Sequence, residues 1–161
     1  KVISSVGSSP QVTEMSGILT GAASTWSGVI RLTGDVTVPV GHVLTVDPGT
    51  LVMLDGTIEA QSTTGTDLII QGAIDCRGSE ERPITFTASD ADSPWGQILF
   101  DQCEGANFTF TNIHRAGHSP GGGHTDHGRV LRIIGSTVSF TDCNITDNRG
   151  KVGESDASGE I

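Results

Sequence analysis

From residue 28 onward the chain alternates apolar and polar residues in short runs separated by turn residues. The runs fall at 28–33, 35–38, 42–46, 50–54, 57–60, 67–70, 73–76, 83–87, 97–100, 107–110, 129–134 and 137–140. Alternation of this kind places one set of side chains on each side of a strand, and no stretch carries the longer period of an amphipathic helix. The pattern therefore predicts an all-β chain of many short strands. Strands this short fit either a sandwich of hairpins or a solenoid of stacked coils.

Turn chemistry favours the solenoid. Asn-Gly hairpin signals are absent, while a phrase recurs: residues 106–113 (ANFTFTNI) lie over residues 136–143 (STVSFTDC), a period of 30. In that alignment Phe108 matches Val138, Phe110 matches Phe140 and Asn112 matches Asp142. Matched apolar residues would stack inward from coil to coil, and matched Asn and Asp would sit at a shared bend, bonding backbone groups of the neighbouring coil. Residues 1–27, rich in Ser, Gly and Thr, read as a cap or linker, and 28–161 as coils, with a Gly/His-rich insertion at 115–128. The final apolar residue, Ile161, falls as a further strand begins. The coils therefore read as an incomplete N-terminal fragment whose open end further coils or another chain would cover.

Composition narrows the function classes. With 9 Lys+Arg against 19 Asp+Glu the 161-residue chain has a formal charge of −10, which disfavours nucleic acid and anionic membrane surfaces as partners. No apolar stretch is long enough to span a bilayer. Cys76, Cys103 and Cys143 have neither disulfide-framework nor CxxC spacing and read as isolated thiols, leaving the redox compartment open. The absence of Tyr, with Trp26 and Trp95 each preceding a strand, furnishes a sugar platform poorly.

Residues 26–52, containing the phrase LTVDPGT, resemble the opening coils of bacterial right-handed parallel β-helix proteins of the pectin-lyase-like superfamily. Residues 83–114, with PITFTA, WGQI and FTFTNIH, look like following coils of the same group, and the His-rich loop with strand 129–133 resembles a loop-then-strand of its large secreted or surface proteins. The resemblance covers about residues 26–150 and implies a right-handed parallel β-helix in an extracellular or cell-surface, bacterial-like setting. An antiparallel sandwich is the competing arrangement. The superfamily's activities are diverse, so its fold alone assigns none to this chain.

Candidate chemistry gathers in the last third. His114, His118, His124 and His127, four of the five histidines, surround three consecutive glycines together with Asp126. Imidazoles on so free a backbone could hold Zn, Cu or Ni, with Ca a poorer match; a solvated polar loop is the competing reading. Residues 115–151 carry Arg115, Arg129, Arg132, Arg149 and Lys151 against Asp126, Asp142 and Asp147, five positive against three negative, a local +2. Arg115, Arg129 and Lys151 are the candidate binders of an anionic sugar. A lyase would need a cation to neutralise a uronate and a base to take its α-proton, for which Asp142, Arg132 and Arg149 are the candidates. Asp90 and Asp92 read as turn residues instead. The leading expectation is a noncatalytic β-helix scaffold or adhesion module of a larger secreted or surface protein. The alternatives are a polysaccharide lyase or glycoside hydrolase with its site near 114–151, and a metal-binding His loop.

Overall fold

The computed structural model describes residues 11–56, 65–117, 128–149 and 151–155. Among them there are strands and turns but no helix, and every pairing between strands is parallel. The chain is a parallel β-solenoid, which sets aside the antiparallel sandwich. Its strands are β1 (Val12–Ile18), β2 (Ala23–Trp26), β3 (Val29–Val38), β4 (Val43–Val46), β5 (Leu51–Leu54), β6 (Leu68–Ile70), β7 (Ala73–Arg77), β8 (Ile84–Ala88), β9 (Ile98–Asp101), β10 (Gly105–Thr109), β11 (Thr111–His114), β12 (Arg129–Ile134), β13 (Val138–Thr141), β14 (Asn144–Thr146) and β15 (Lys151–Ser155).

Three faces result. On the first, β5, β8, β11 and β14 follow the front half of β3; on the second, β6, β9, β12 and β15 follow its back half; the third stacks β2, β4, β7, β10 and β13. The runs 28–33 and 35–38 are thus one strand, which bends through two faces without a loop. Strand β1 lies along both halves of β3, and β2 along β4, so residues 12–26 already form a coil. In β1 the inward positions are only partly apolar: Met15 takes the register position of buried Leu32 and packs against the core. Thr13 takes the register position of buried Ile30, whereas Ile18 is 68% exposed, and a register irregularity lies between Met15 and Gly17. Polar inward residues and a bulge are devices that blunt a sheet edge.

The interior follows from alternation. Columns of buried side chains run through the coils, among them Ile30–Val52–Phe86–Ile113 and Val38–Ile70–Phe100–Ile133. Each such side chain contributes about 1.5–3 kcal/mol on leaving water. Phe108 is the hub: it stacks on Phe140 at 5.0 Å and meets the edge of Phe100 at 5.9 Å.

The recurrent phrase is real, but its register is 32 residues, not 30. Ala106 pairs with Val138, Phe108 with Phe140, and Asn112 with Asn144 rather than Asp142. A spacing of 30 also lays buried Phe108 over buried Val138, and because an inward column accepts either residue, side-chain type alone does not fix the register. Phe110 is not a core residue in this register. It stands at a corner with φ 43°, and Asp142, 32 residues on, repeats the conformation with φ 53°. Arg115 (58°) and Asp147 (55°) form a second such pair at the end of β11 and β14. Left-handed backbone at a non-glycine residue costs about 1–2 kcal/mol, so these corners are bought by the continuous ladder on either side.

Candidate functional site

The first and second faces meet at a corner where the chain expands. Three coils carry long connections here, 55–67, 89–97 and 115–128, whereas β3 passes through 33–35 without a loop and β14 joins β15 through 147–150. The loops are tied to one another through the backbone: Gly96 N donates to Thr66 O, Gly117 N to Gly96 O, and Gly128 N to Gly117 O. Trp95 lies fully buried beneath them, with Nε1–H donating to the His114 carbonyl at 2.7 Å. Asn148 joins the last coils, its Oδ1 accepting from Ala116 N at 2.8 Å and its Nδ2 donating to Ile113 O at 3.2 Å.

On the first face the corrected register brings β11 and β14 side chains into matched pairs. Asn144 Nδ2 donates to Asn112 Oδ1 at 3.2 Å. His114 Nδ1 lies 3.3 Å from the Thr146 carbonyl and 3.1 Å from the Thr146 hydroxyl. That arrangement leaves Nε2 as the His114 nitrogen through which a metal could be held. Arg115 Nε lies 3.6 Å from Asp147, both side chains well exposed. A two-row strip of polar pairs results.

Open clefts flank the strip. One, of about 380 Å³, is lined by Ala91, Asp92, Pro94, Arg115, Asp147, Asn148 and Arg149 at the loop-bearing corner. The other, of about 450 Å³, lies at the opposite corner and includes Glu80, Phe110, Asn112, Asp142 and Asn144.

The sequence candidates therefore divide. Arg115 and Arg149 share the first cleft, with His114 on the neighbouring strand. Asp142 lies in the other cleft, and Arg132 is on β12 of the second face, between Leu99 and Glu154 in register. Arg129 opens β12, its backbone in register with Lys151. The proposed trio of Asp142, Arg132 and Arg149 is thus spread over two corners and a different face. His118, His124, Asp126 and His127 lie outside the described residues, and among the described residues no group of three or more His, Cys, Asp or Glu side chains could hold a metal. The fifth histidine, His42, is fully buried, its ring between the Gly21 carbonyl (2.9 Å) and Ser24 Oγ (2.8 Å), and braces a corner.

Two carboxylates that bound one loop differ sharply. Burial works against ionisation of Asp55, but the Arg31 guanidinium, at 2.9 and 3.1 Å in a two-pronged pair, and a Ser89 hydrogen bond hold its pKa below the ordinary range. Asp67, at the loop's other end, is pushed up to about 6, chiefly by burial and further by the charge of Asp35, against hydrogen bonds from Gln97. Cys76 is buried in the inward column, and burial raises its thiol well above the usual value. All three cysteines are free.

No family model, no curated protein and no solved structure matches the chain.

Proposed function

We propose that the chain is a noncatalytic scaffold and adhesion module of a larger secreted or cell-surface protein, presenting the β11/β14 strip and its loop-bearing corner to polysaccharide. The observation that carries this reading is that the strip's polar side chains brace neighbouring coils: Asn112 with Asn144, His114 with Thr146, Arg115 with Asp147. Groups held in this way stiffen a surface and present it, while the loops stacked at one corner offer the variation that recognition uses. The parallel ladder also agrees with the pectin-lyase-like resemblance of residues 26–150, and Arg115 and Arg149, which line one cleft together with Asp92 and Asp147, are the groups there that would meet a sugar carboxylate.

A panel of anionic and neutral polysaccharides, read by affinity electrophoresis and by assays for unsaturated products and new reducing ends, tests the proposal. Retardation by an anionic member without products is expected, weakened several-fold by Arg115→Ala combined with Arg149→Ala. Release of products would establish the enzyme alternative, and failure of every polysaccharide to retard the protein would remove the adhesion reading.

A further inference from the structure

Beneath the loop-bearing corner, one register position of the second face carries polar residues in successive coils. Val36 pairs with Leu68 and Leu68 with Ile98, so the residues just before them, Asp35, Asp67 and Gln97, form a column. Each carboxylate caps the coil above: Asp35 Oδ1 accepts from Asp67 N at 2.9 Å, and Asp67 Oδ1 from Gln97 N at 3.0 Å. The column then changes character. Gln97 turns its side chain back, Nε2 donating to Asp67 Oδ2 at 3.0 Å, and its Oε1 is buried without a hydrogen-bond partner. Gly96 is required here because a Cβ would lie 1.8 Å from Asp67 Oδ1.

Two strains coincide at this point. A half-buried carboxylate lies over a second carboxylate, Asp35, with a neutral amide above it, and that amide aims its NH2 at the charge, which strands its own buried oxygen. We infer that Asp67 and Gln97 form a proton-operated latch under the corner, engaged in mildly acidic surroundings by an O–H···O bond between the two side chains. Uptake of one proton from solvent makes Oδ2 a donor. A half-turn of the Gln97 amide then brings Oε1 to it, leaving the NH2 where the oxygen stood, while Oδ1 keeps the Gln97 backbone N–H. The charge and its repulsion from Asp35 are removed, Oε1 gains a donor while the amide nitrogen takes the partnerless place, and the side-chain link between β6 and β9 changes from N–H···O⁻ to O–H···O. Asp35 is the charged group that acts on the latch from below; Gln97, and Val130 at the next register position, are uncharged.

The raised carboxyl of Asp67 agrees in direction. With a folded pKa of about 6 against 3.8 for the free group, the native state binds more protons than the unfolded state between those values. Stability attributable to this group is therefore present in acid and lost as pH rises through about 6. Across the window the folding equilibrium constant changes roughly a hundredfold.

The full chain tests this in two ways. Carboxyl ¹³C shifts followed through pH should show Asp67 titrating near 6. Urea unfolding at pH 5 and pH 7.5 should show an acid-side gain that Asp67→Asn abolishes and that Asp35→Asn moves to lower pH without removing. An Asp67 midpoint near 4, or an equal acid-side gain in Asp67→Asn, overturns the latch. If Asp67→Asn fails to fold, the carboxyl titration of the native chain decides alone. Neither result depends on polysaccharide binding.

Discussion

Two corners of the same solenoid both use left-handed residues, and only one of them adds packed loops. Between the third and first faces the chain turns at Phe110, and a coil later at Asp142, by placing a non-glycine residue in left-handed backbone. Between the first and second faces left-handed residues also occur, at Arg115 and Asp147, but the chain adds whole loops at 55–67, 89–97 and 115–128, and the described part of that corner is filled: Trp95 is fully buried, Gly65 and Gly96 admit neighbouring chain at distances no Cβ would allow, Asp67 and Asn148 hold backbone groups of adjacent coils, and Gln97 holds the Asp67 carboxylate. A corner made by torsion is strained and local. A corner made by packing couples several coils, so substitutions there have cavity-scale consequences.

The strongest test of that contrast is Trp95→Ala. The change removes a fully buried ring and the bond from its Nε1 to the His114 carbonyl, linking the loop before β9 to the end of β11. A loss of about 3–5 kcal/mol is expected in urea unfolding. A loss below about 1 kcal/mol would show that the broad corner is held by its backbone bonds, and the distinction between the corners would collapse.

Gly96→Ala probes the same corner by overfilling. The added methyl would meet Asp67 Oδ1 at 1.8 Å and the Gly65 carbonyl at 2.8 Å, one of them backbone, so both coils must shift. Destabilisation of about 1–3 kcal/mol should follow in thermal unfolding. Gly105→Ala in β10, where a Cβ meets nothing within 4 Å, is the control and should be neutral or slightly stabilising.

These two positions also mark how far the sequence could be read. Alternation placed most strands because an inward column must be apolar wherever it passes; 97–100 and 129–134 became β9 and β12 with nearly the same bounds. The period of 30 that lays 106–113 on 136–143 differs from the true register by two residues, because Phe and Val are interchangeable inside a column while the matched corner residues, Phe110 and Asp142, share no side-chain chemistry. Strands β1, β2, β11 and β14 fall outside the predicted runs, and the run at 57–60 lies outside the described residues. Strand β1 places Thr13 inward and Ile18 outward, and β11 and β14 present Asn, His and Thr outward in segments too short to show a period. Of the site, the cluster of His114, Arg115 and Arg149 was legible as local charge. The parts that hold it, Asn148, Thr146 and the column Asp35–Asp67–Gln97, are single polar residues spaced by a coil, and only the register joins them. Asp35, Asp67 and Gln97 are spaced by 32 and then 30 residues, so even the coil length does not give their column without the strand pairing.

The torsional corner offers the smallest and most local effect. Asp142 has an exposed side chain at φ 53°, and Asp is among the residues that accept this backbone, so relief of strain in Asp142→Gly is opposed by the entropy glycine adds to the unfolded chain. The expected change is within about 0.5 kcal/mol. Asp142→Val, which cannot take that conformation cheaply, should cost about 1–2 kcal/mol through backbone strain with almost no change in burial. A torsional corner requires the Gly and Val variants to separate in this order, and the loss in Asp142→Val to leave amide exchange at Thr66 and Gly96 unaltered. If the valine change instead loosened those distant amides, the two corners would be mechanically one, and the strip between them a single cooperative surface.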